Sequence, residues 1–284
     1  AFSPWLIWGL AATFFFVEYF ARVAPSVMVP DLMRDFGVDA RTLGSLSAFF
    51  YYAYVGMQIP VGILVDRYGS HRLLTMMSLL CALSCMLFAG SSSVGVADLG
   101  RFLLGFGASF AFVGSLKLAA VWFPATRFGL LAGLTQAIGM LGAAVGEAPM
   151  SYAVVHLGWK TTMFVIAIIF IVLAALIGLI VRDRPSNVSL SHDVLASDKN
   201  ILLGLRKVLN NPQSWWNAFY VGLVYAPTAA VAELWGVTFL AQNYHLSLHV
   251  AASAVSLIFI GWGIGGPLVG WLSDYIQRRR PIMF

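Results

Sequence analysis

Residues Gly62 to Arg72 read G-I-L-V-D-R-Y-G-S-H-R, and this polar stretch separates two apolar runs, each long enough to cross a bilayer. A short charged segment in that position predicts a turn on one face of a membrane. Gly69 can adopt a positive φ angle and so permits the chain to reverse. Asp66 is unfavourable at the end of a helix, because an acid there opposes the helix dipole. We therefore expect Asp66 to have a partner, either Arg67, Arg72 or the N-terminus of another helix.

The same pattern returns later in the chain, at the end of another even-numbered apolar run. Gly62, Leu64, Asp66 and Arg72 recur as Gly270, Leu272, Asp274 and Arg280, an interval of 208 residues. A weak internal repeat of this kind is typical of transporters built from two related halves.

The repeated loop resembles the signature between helices 2 and 3 of the major facilitator superfamily. Gly62, Leu64, Asp66, Arg67, Gly69 and Arg72 match that signature, and His71 stands where the family has a basic residue. A second family pattern, R-x-x-x-G-x-G, is present as Arg101, Gly105 and Gly107. The resemblance assigns a gating role to the loop and its repeat, that is, to Gly62, Asp66, Arg67, Gly69, Arg72, Asp274 and Arg280.

The resemblance also implies an all-α membrane protein, a helical bundle of the major facilitator type. Its parts would be a six-helix N-terminal half at 1–181, a cytoplasmic linker at 182–212, and the first two helices of the C-terminal half at 213–284. The family has twelve helices, so we expect this sequence to be part of a longer chain with helices 9–12.

The composition of the chain is that of a membrane protein. Of the 284 residues, 60% are hydrophobic and only 10% are charged, and the mean hydropathy is +0.84. The net charge of +5 does not indicate nucleic acid, because no basic patch is interleaved with aromatic residues. Cys81 and Cys85 are four residues apart in an apolar run and are interpreted as packing residues. No catalytic triad, paired carboxylates or metal-ligand set is visible, so we expect no enzyme activity, cofactor or metal.

Eight apolar runs are long enough to span the bilayer, and all are predicted to be helices. They cover roughly 5–30, 43–65, 73–91, 96–121, 128–152, 161–181, 213–240 and 250–272. With the N-terminus in the cytoplasm, eleven lysine and arginine residues lie in cytoplasmic loops and three on the opposite side. We therefore predict a bacterial inner-membrane protein with a cytoplasmic N-terminus. Residues 201–209 have apolar side chains at helical spacing and predict an amphipathic helix on the membrane surface.

Five ionisable residues lie inside predicted spans, where charges are costly and normally face protein or water. They are Glu18 and Arg22 in span one, Lys117 in span four, Glu147 in span five and Glu233 in span seven. In the family that the chain resembles, helices 1, 4 and 7 line the central cavity.

Each of these charges has a structural and a functional interpretation. Glu18 and Arg22 share a helix face and either neutralise each other or bind a substrate anion through Arg22, as the first helix of anion-transporting family members does. Lys117 either lines the cavity or extends to the membrane interface. Glu147 is expected to pair with Arg101 across adjacent helices. Glu233 is a candidate proton or substrate-amine site.

Several uncharged residues are secondary candidates. Polar or stacking contacts to a substrate are available from Gln136, Tyr51, Tyr52, Tyr225 and Trp235. Glycines four residues apart, such as Gly142 and Gly146 or Gly261 and Gly265, allow helices to approach closely.

We therefore predict a secondary active transporter that moves a small polar or anionic organic solute by alternating access, coupled to protons as a symporter. The alternatives are an amino-acid or zwitterion transporter, a drug-type exporter, and, more remotely, a membrane receptor or scaffold that does not transport. The expected partners are the solute, the proton and the lipid bilayer, without nucleic acid, and the protein is expected to be a monomer.

Overall fold

The computed structural model describes residues 3–184 and 207–276, and within these ranges the regular structure is entirely helical. The α-helices are α1 (Pro4–Val23), α2 (Val29–Phe36), α3 (Ala40–Tyr68), α4 (Ser70–Ala89), α5 (Val94–Trp122), α6 (Phe128–Leu157), α7 (Trp159–Ile180), α8 (Pro212–Pro227), α9 (Gly236–Asn243) and α10 (Leu248–Ile276). Eight helical segments of the described chain are long and apolar enough to cross a membrane, as the hydropathy pattern predicts.

The first predicted span is interrupted where the sequence places Pro25. Helix α1 ends at Val23, and a 3₁₀ turn at Ala24–Val27 follows it before the short helix α2. Pro25 has no N–H group to continue the α-helical pattern, so the chain tightens into the 3₁₀ turn. Gly37 then ends α2 with a φ angle of +64°.

The turn between α3 and α4 forms as predicted. Gly69 has a φ angle of +83°, which ends α3 and starts α4 at once. The carboxylate of Asp183 lies against Gly69, and the backbone N–H of His71 donates to Asp183 Oδ1 at 2.8 Å. Asp183 therefore caps the N-terminus of α4, a position where an anion is favourable.

Helix α1 is the most buried span and lies at the centre of the bundle, packed against α5, α6 and α7. Its contact with α6 is close, and two glycines of α6 make this possible. A side chain at Gly142 would clash with the backbone carbonyl of Phe16, and one at Gly146 would clash with Val23. Helix α6 also packs along α10, the last described helix. Many large apolar side chains on the outer faces are exposed, which suits contact with lipid.

The seventh span is three segments rather than one. Helix α8 ends at Pro227, a π-helical segment covers Thr228–Trp235, and α9 follows. Glu233 lies in the π-helical segment, the kind of irregularity that is frequent at functional sites.

Some predictions fall outside the described part of the chain. Most of the predicted surface helix at 201–209 and Arg280 lie outside the described residues, as does the side chain of Asp274. Lys207, Val208 and Leu209 are described, and they form an exposed helical turn.

Candidate functional site

Helix α1 places Glu18 and Arg22 one turn apart near the centre of the bundle. Arg22 Nε donates to Glu18 Oε1 at 2.8 Å, and Arg22 Nη2 lies 2.6 Å from the same oxygen. Glu18 is fully buried and Arg22 is only 3% exposed. Glu18 Oε2 has no hydrogen-bond partner in the described chain, and Arg22 Nη2 makes no well-aligned hydrogen bond there. The predicted i,i+4 pair therefore forms, but it leaves polar atoms at the site unsatisfied.

Aromatic rings surround the guanidinium group of Arg22. Its central carbon lies 4.1 Å from the ring centre of Tyr19, 4.6 Å from that of Tyr54 and 5.1 Å from that of Phe50. Cation–π contact with these rings stabilises the charge where water is scarce. A ligand anion would bind through the N–H groups at the edge of the guanidinium.

Glu233 joins this cluster through tyrosine hydroxyl groups. Tyr51 on α3 and Tyr225 on α8 each donate to one carboxylate oxygen of Glu233, and the side chain is 3% exposed. The hydroxyl groups of Tyr225 and Tyr19 are 3.4 Å apart. The structure thus brings Glu18, Arg22 and Glu233 together. Tyr51 and Tyr225, which the sequence offered as secondary candidates, make polar contacts with Glu233.

The predicted pair between Arg101 and Glu147 is wrong. Arg101 donates to three backbone carbonyls instead, those of Leu46 at 3.3 Å, Ala21 at 3.2 Å and Arg22 at 3.0 Å. Because Pro25 has no N–H group and a 3₁₀ turn follows α1, the last carbonyls of α1 lack their usual donors. Arg101 supplies those donors, and a cation at a helix C-terminus is also electrostatically favourable.

Glu147 makes its hydrogen bonds to a serine. The hydroxyl oxygen of Ser26, in the 3₁₀ turn after α1, lies 2.9 Å from both carboxyl oxygens of Glu147. Glu147 is fully buried, and no lysine, arginine or histidine of the described chain forms an ion pair with it.

Lys117 is not part of the central cluster. Its Nζ lies 2.6 Å from Asp66 Oδ1, and the two side chains are 43% and 67% exposed, respectively. The partner of Asp66 is therefore Lys117 on α5, not Arg67, Arg72 or a helix N-terminus. The lysine extends to the end of the bundle, which agrees with the interfacial interpretation rather than with a cavity-lining role.

The remaining candidate residues make few polar contacts with described residues. Gln136 on α6 is half-buried and makes no side-chain hydrogen bond to a described residue. Tyr52 is 67% exposed, and Trp235 is half-buried beside Gly44. Cys81 and Cys85 are buried free thiols, and the described residues contain no group of three or more metal-ligating side chains.

Five residues that contact candidate residues are not predicted from the sequence: Tyr19, Ser26, Phe50 and Tyr54 near the centre of the bundle, and Asp183 at the turn after α3. Ser26 and Asp183 carried a usable signal, since Ser26 follows Pro25 one turn after Arg22 and Asp183 is an acid directly after span six. Tyr19, Phe50 and Tyr54 are single aromatics among many, and only the packing of α1 against α3 distinguishes them.

Comparison with known proteins assigns the family. The sequence profile described as Major Facilitator Superfamily matches residues 11–284. The chain belongs to the major facilitator superfamily. The predicted fold class is confirmed by a solved structure, a bacterial homolog of the human lysosomal transporter Spinster, with a TM-score of 0.76 at 14% identity over 97% of this chain and 64% of that one.

Curated relatives in this superfamily carry transport-related names. The chain is 24% identical to "Probable sulfoacetate transporter SauU" of Cupriavidus necator and 26% identical to "Membrane sensor protein UhpC" of Escherichia coli. It is 24% identical to "Probable hexose phosphate transport protein" of Chlamydia muridarum. These matches cover 96%, 90% and 92% of this chain and 66%, 61% and 62% of the relatives. The chain is thus an integral membrane protein of a transporter superfamily, not an enzyme, and it spans less than two thirds of the length of these relatives.

Proposed function

We propose that this protein is a secondary transporter that moves a small organic anion across the membrane by alternating access, coupled to protons. The observation that carries the proposal is the state of Arg22, a cation that is 3% exposed, surrounded by aromatic rings and paired with Glu18 through Nε and Nη2. Ionisable residues inside spanning helices are costly and commonly mark substrate or ion pathways, so Arg22 suggests a ligand.

The chemistry of arginine favours an oxyanion as that ligand. A guanidinium group has five N–H donors in a planar fork that matches carboxylates, sulfonates and phosphates. Glu18 faces Nε and Nη2 of Arg22, which leaves Nη1 for the substrate. The names of two relatives support this choice, because sulfoacetate and hexose phosphate both carry an oxyanion group.

Alternating access requires two bodies around a central site. We assign residues 1–181 to the first body, 182–212 to the linker and 213–284 to the second. Arg22 belongs to the first and Glu233 to the second, so that substrate and coupling ion would be bound where the bodies meet. The excess of lysine and arginine in one set of loops supports a cytoplasmic N-terminus in a bacterial inner membrane.

Arg22→Gln tests the anion site. The variant should fold, because glutamine keeps a donor for Glu18, but sulfoacetate binding should weaken about 10- to 100-fold, the loss expected for a charged hydrogen bond. Binding is measured by calorimetry on purified protein, and uptake in proteoliposomes with a panel of sulfonates, sugar phosphates and sugar acids.

Arg101→Gln is the contrasting variant. Its three donors satisfy backbone carbonyls, so this change should reduce the yield and thermal stability of folded protein. If Arg22→Gln instead misfolds in the same manner, or binds every anion in the panel as the wild type does, Arg22 is a structural residue and the assignment fails.

A zwitterionic substrate is the alternative within transport, with its carboxylate on Arg22 and its amine on Glu233. The two interpretations of Glu233 differ in the variant Glu233→Gln. A proton site predicts normal binding and transport that no longer responds to a pH gradient, whereas an amine site predicts loss of binding.

A sensor is the second candidate function, because one relative is named a membrane sensor protein. A sensor would bind an anion through the same Arg22 without carrying it. Specific binding to purified protein together with no uptake into proteoliposomes would favour the sensor over the transporter.

A further inference from the structure

Glu147 is a buried carboxyl group that the anion site does not use. It lies on α6 with no exposed surface, and both its oxygens are 2.9 Å from the hydroxyl oxygen of Ser26. That same hydroxyl oxygen is 2.7 Å from the backbone carbonyl of Val23. One serine oxygen is therefore within hydrogen-bond distance of three acceptor atoms.

The hydrogen atoms at this site do not suffice for an ionised Glu147. Ser26 has a single hydroxyl hydrogen, which can be donated either to the carbonyl of Val23 or to the carboxyl group of Glu147. With Glu147 ionised, one of these contacts would bring two acceptors together without a hydrogen between them. A proton on Glu147 removes the conflict, since Glu147 then donates to Ser26 and Ser26 donates to Val23.

The charged groups on neighbouring elements do not compensate the charge of an ionised Glu147. The helices packed against α6 carry charged or titratable groups, namely Glu18 and Arg22 on α1, Asp98, Arg101 and Lys117 on α5, Lys160 on α7, and His249 and Asp274 on α10, while Arg127 precedes α6 and His156 lies at its end. None of the cations in the described chain lies within ion-pair distance of Glu147.

We propose that Glu147 is a proton-binding site of this protein, separate from the anion site and connected to it through Ser26. The inference rests on the proposed transport function and adds Glu147, in the first body, to Glu233, in the second, as a residue that carries a coupled proton. The carboxylate takes a proton from one side of the membrane and releases it to the other, so that one proton is bound and one released in each cycle.

The connection to Arg22 is the 3₁₀ turn at the end of α1. Ser26 is four residues after Arg22, and its hydroxyl group bonds the carbonyl of Val23 inside that turn. When Glu147 loses its proton, the carboxylate competes with the Val23 carbonyl for the hydrogen of Ser26. Loss of the proton thus weakens the turn that holds the Arg22 end of α1 against α6.

Glu147→Gln in the full-length protein tests the proposal. The amide keeps the size of the protonated side chain and a donor for Ser26, so the variant should fold and bind sulfoacetate. Accumulation of sulfoacetate in proteoliposomes under a pH gradient should fall at least tenfold. Exchange of internal for external sulfoacetate at equal pH needs no net proton movement and should be retained.

Asp98→Asn is the matched control. Asp98 is also a carboxylate held by a serine, since Ser45 Oγ lies 2.8 Å and 3.0 Å from its two oxygens and 2.7 Å from the backbone carbonyl of Thr42. Unlike Glu147, Asp98 is 9% exposed and lies at the contact of α3 with α5, so that water can donate the hydrogen bond that the single serine hydrogen cannot supply. Its removal should leave gradient-driven accumulation unchanged. Gradient-driven accumulation by Glu147→Gln equal to that of the wild type overturns the proposal.

A second measurement covers the case in which Glu147→Gln does not fold. The infrared C=O stretch of a protonated carboxyl group should be present in the wild type at neutral pH, and Ser26→Ala should shift that band and the pH profile of uptake together. A wild type without such a band, or a Ser26→Ala variant with an unchanged band and profile, contradicts the assignment. If the wild type takes up no anion but retains a band that shifts in Ser26→Ala, the proposed function fails while the protonation of Glu147 stands.

Discussion

Lys117 and Asp66 form an ion pair between α5 and the C-terminal end of α3, with 2.6 Å between Nζ and Oδ1. Both side chains are substantially exposed, so the pair should contribute at most about 1 kcal/mol to stability. Its position in the signature loop suggests a different role, the stabilisation of one conformation of the transporter. A pair present in one state alone and worth about 1 kcal/mol would change the ratio of two states about fivefold.

Asp66→Asn should therefore slow transport up to about fivefold while anion binding and thermal stability change little. Lys117→Gln should give the same defect, and the double variant should be no slower than either single one, because both remove one interaction. Transport rate and binding are measured with the same anion. Arg127→Gln, an exposed basic residue beyond the end of α5, is the control and should be unaffected. Equal transport rates for all variants would contradict this role, and the loop would then serve only as a basic loop that sets the orientation in the membrane.

Individual charges could be located from the sequence more reliably than their partners. The pair between Glu18 and Arg22 was predictable because i,i+4 spacing fixes it within one helix. Arg101 was assigned to the wrong partner, because the carbonyls of Ala21 and Arg22 become acceptors only through the break at Pro25. Lys117 had two interpretations until the positions of α3 and α5 were known.

At the scale of the helices, the contact between α1 and α6 is one of the tightest in the described part of the bundle. A Cβ atom on Gly142 would meet the carbonyl carbon of Phe16 at 2.9 Å and its oxygen more closely still. Backbone cannot move aside as a flexible side chain can, so this glycine is needed for close approach. The position also matters for the proton site, since Glu147 and Gly142 belong to the same helix.

Gly142→Ala should accordingly lower stability by about 1–3 kcal/mol, the cost of overpacking, despite the higher helix propensity of alanine. Gly265→Ala in α10 is the matched control, because no other part of the described chain lies within 4 Å of the added methyl group. The control should be neutral or stabilising by up to about 1 kcal/mol. Thermal unfolding in detergent measures both, and a Gly142→Ala variant as stable as the control would contradict the close packing.

The spans themselves were predictable because a bilayer imposes length and hydropathy on every helix. Their interruptions were not. The run at 5–30 contains Pro25 and Pro30, but the sequence does not indicate that the first gives a 3₁₀ turn and the second starts a new helix. The π-helical segment at Thr228–Trp235 depends on the register of backbone hydrogen bonds, for which hydropathy carries no signal.

At the scale of the whole molecule, the polar cluster joins the two proposed bodies. Tyr51 in the first body donates to Glu233 in the second, and Tyr19 in the first contacts Tyr225 in the second. The sequence repeat predicted two related halves. It could not identify the tyrosines that connect them, because a contact between halves depends on the conformation that the bundle adopts.

This connection yields a prediction for the single hydroxyl group of Tyr51. A typical hydrogen bond contributes about 0.5–1.5 kcal/mol, so its loss in Tyr51→Phe should shift the ratio of joined to separated bodies about two- to tenfold. Tyr52→Phe is the control, since Tyr52 is adjacent, 67% exposed and without a hydrogen bond to any described residue. Pulsed electron paramagnetic resonance between labels on α3 and α8 reports the separation. Tyr51→Phe should enrich the longer distances and Tyr52→Phe should not. Identical distance distributions for Tyr51→Phe and the wild type would mean that the tyrosine only fills space beside Glu233.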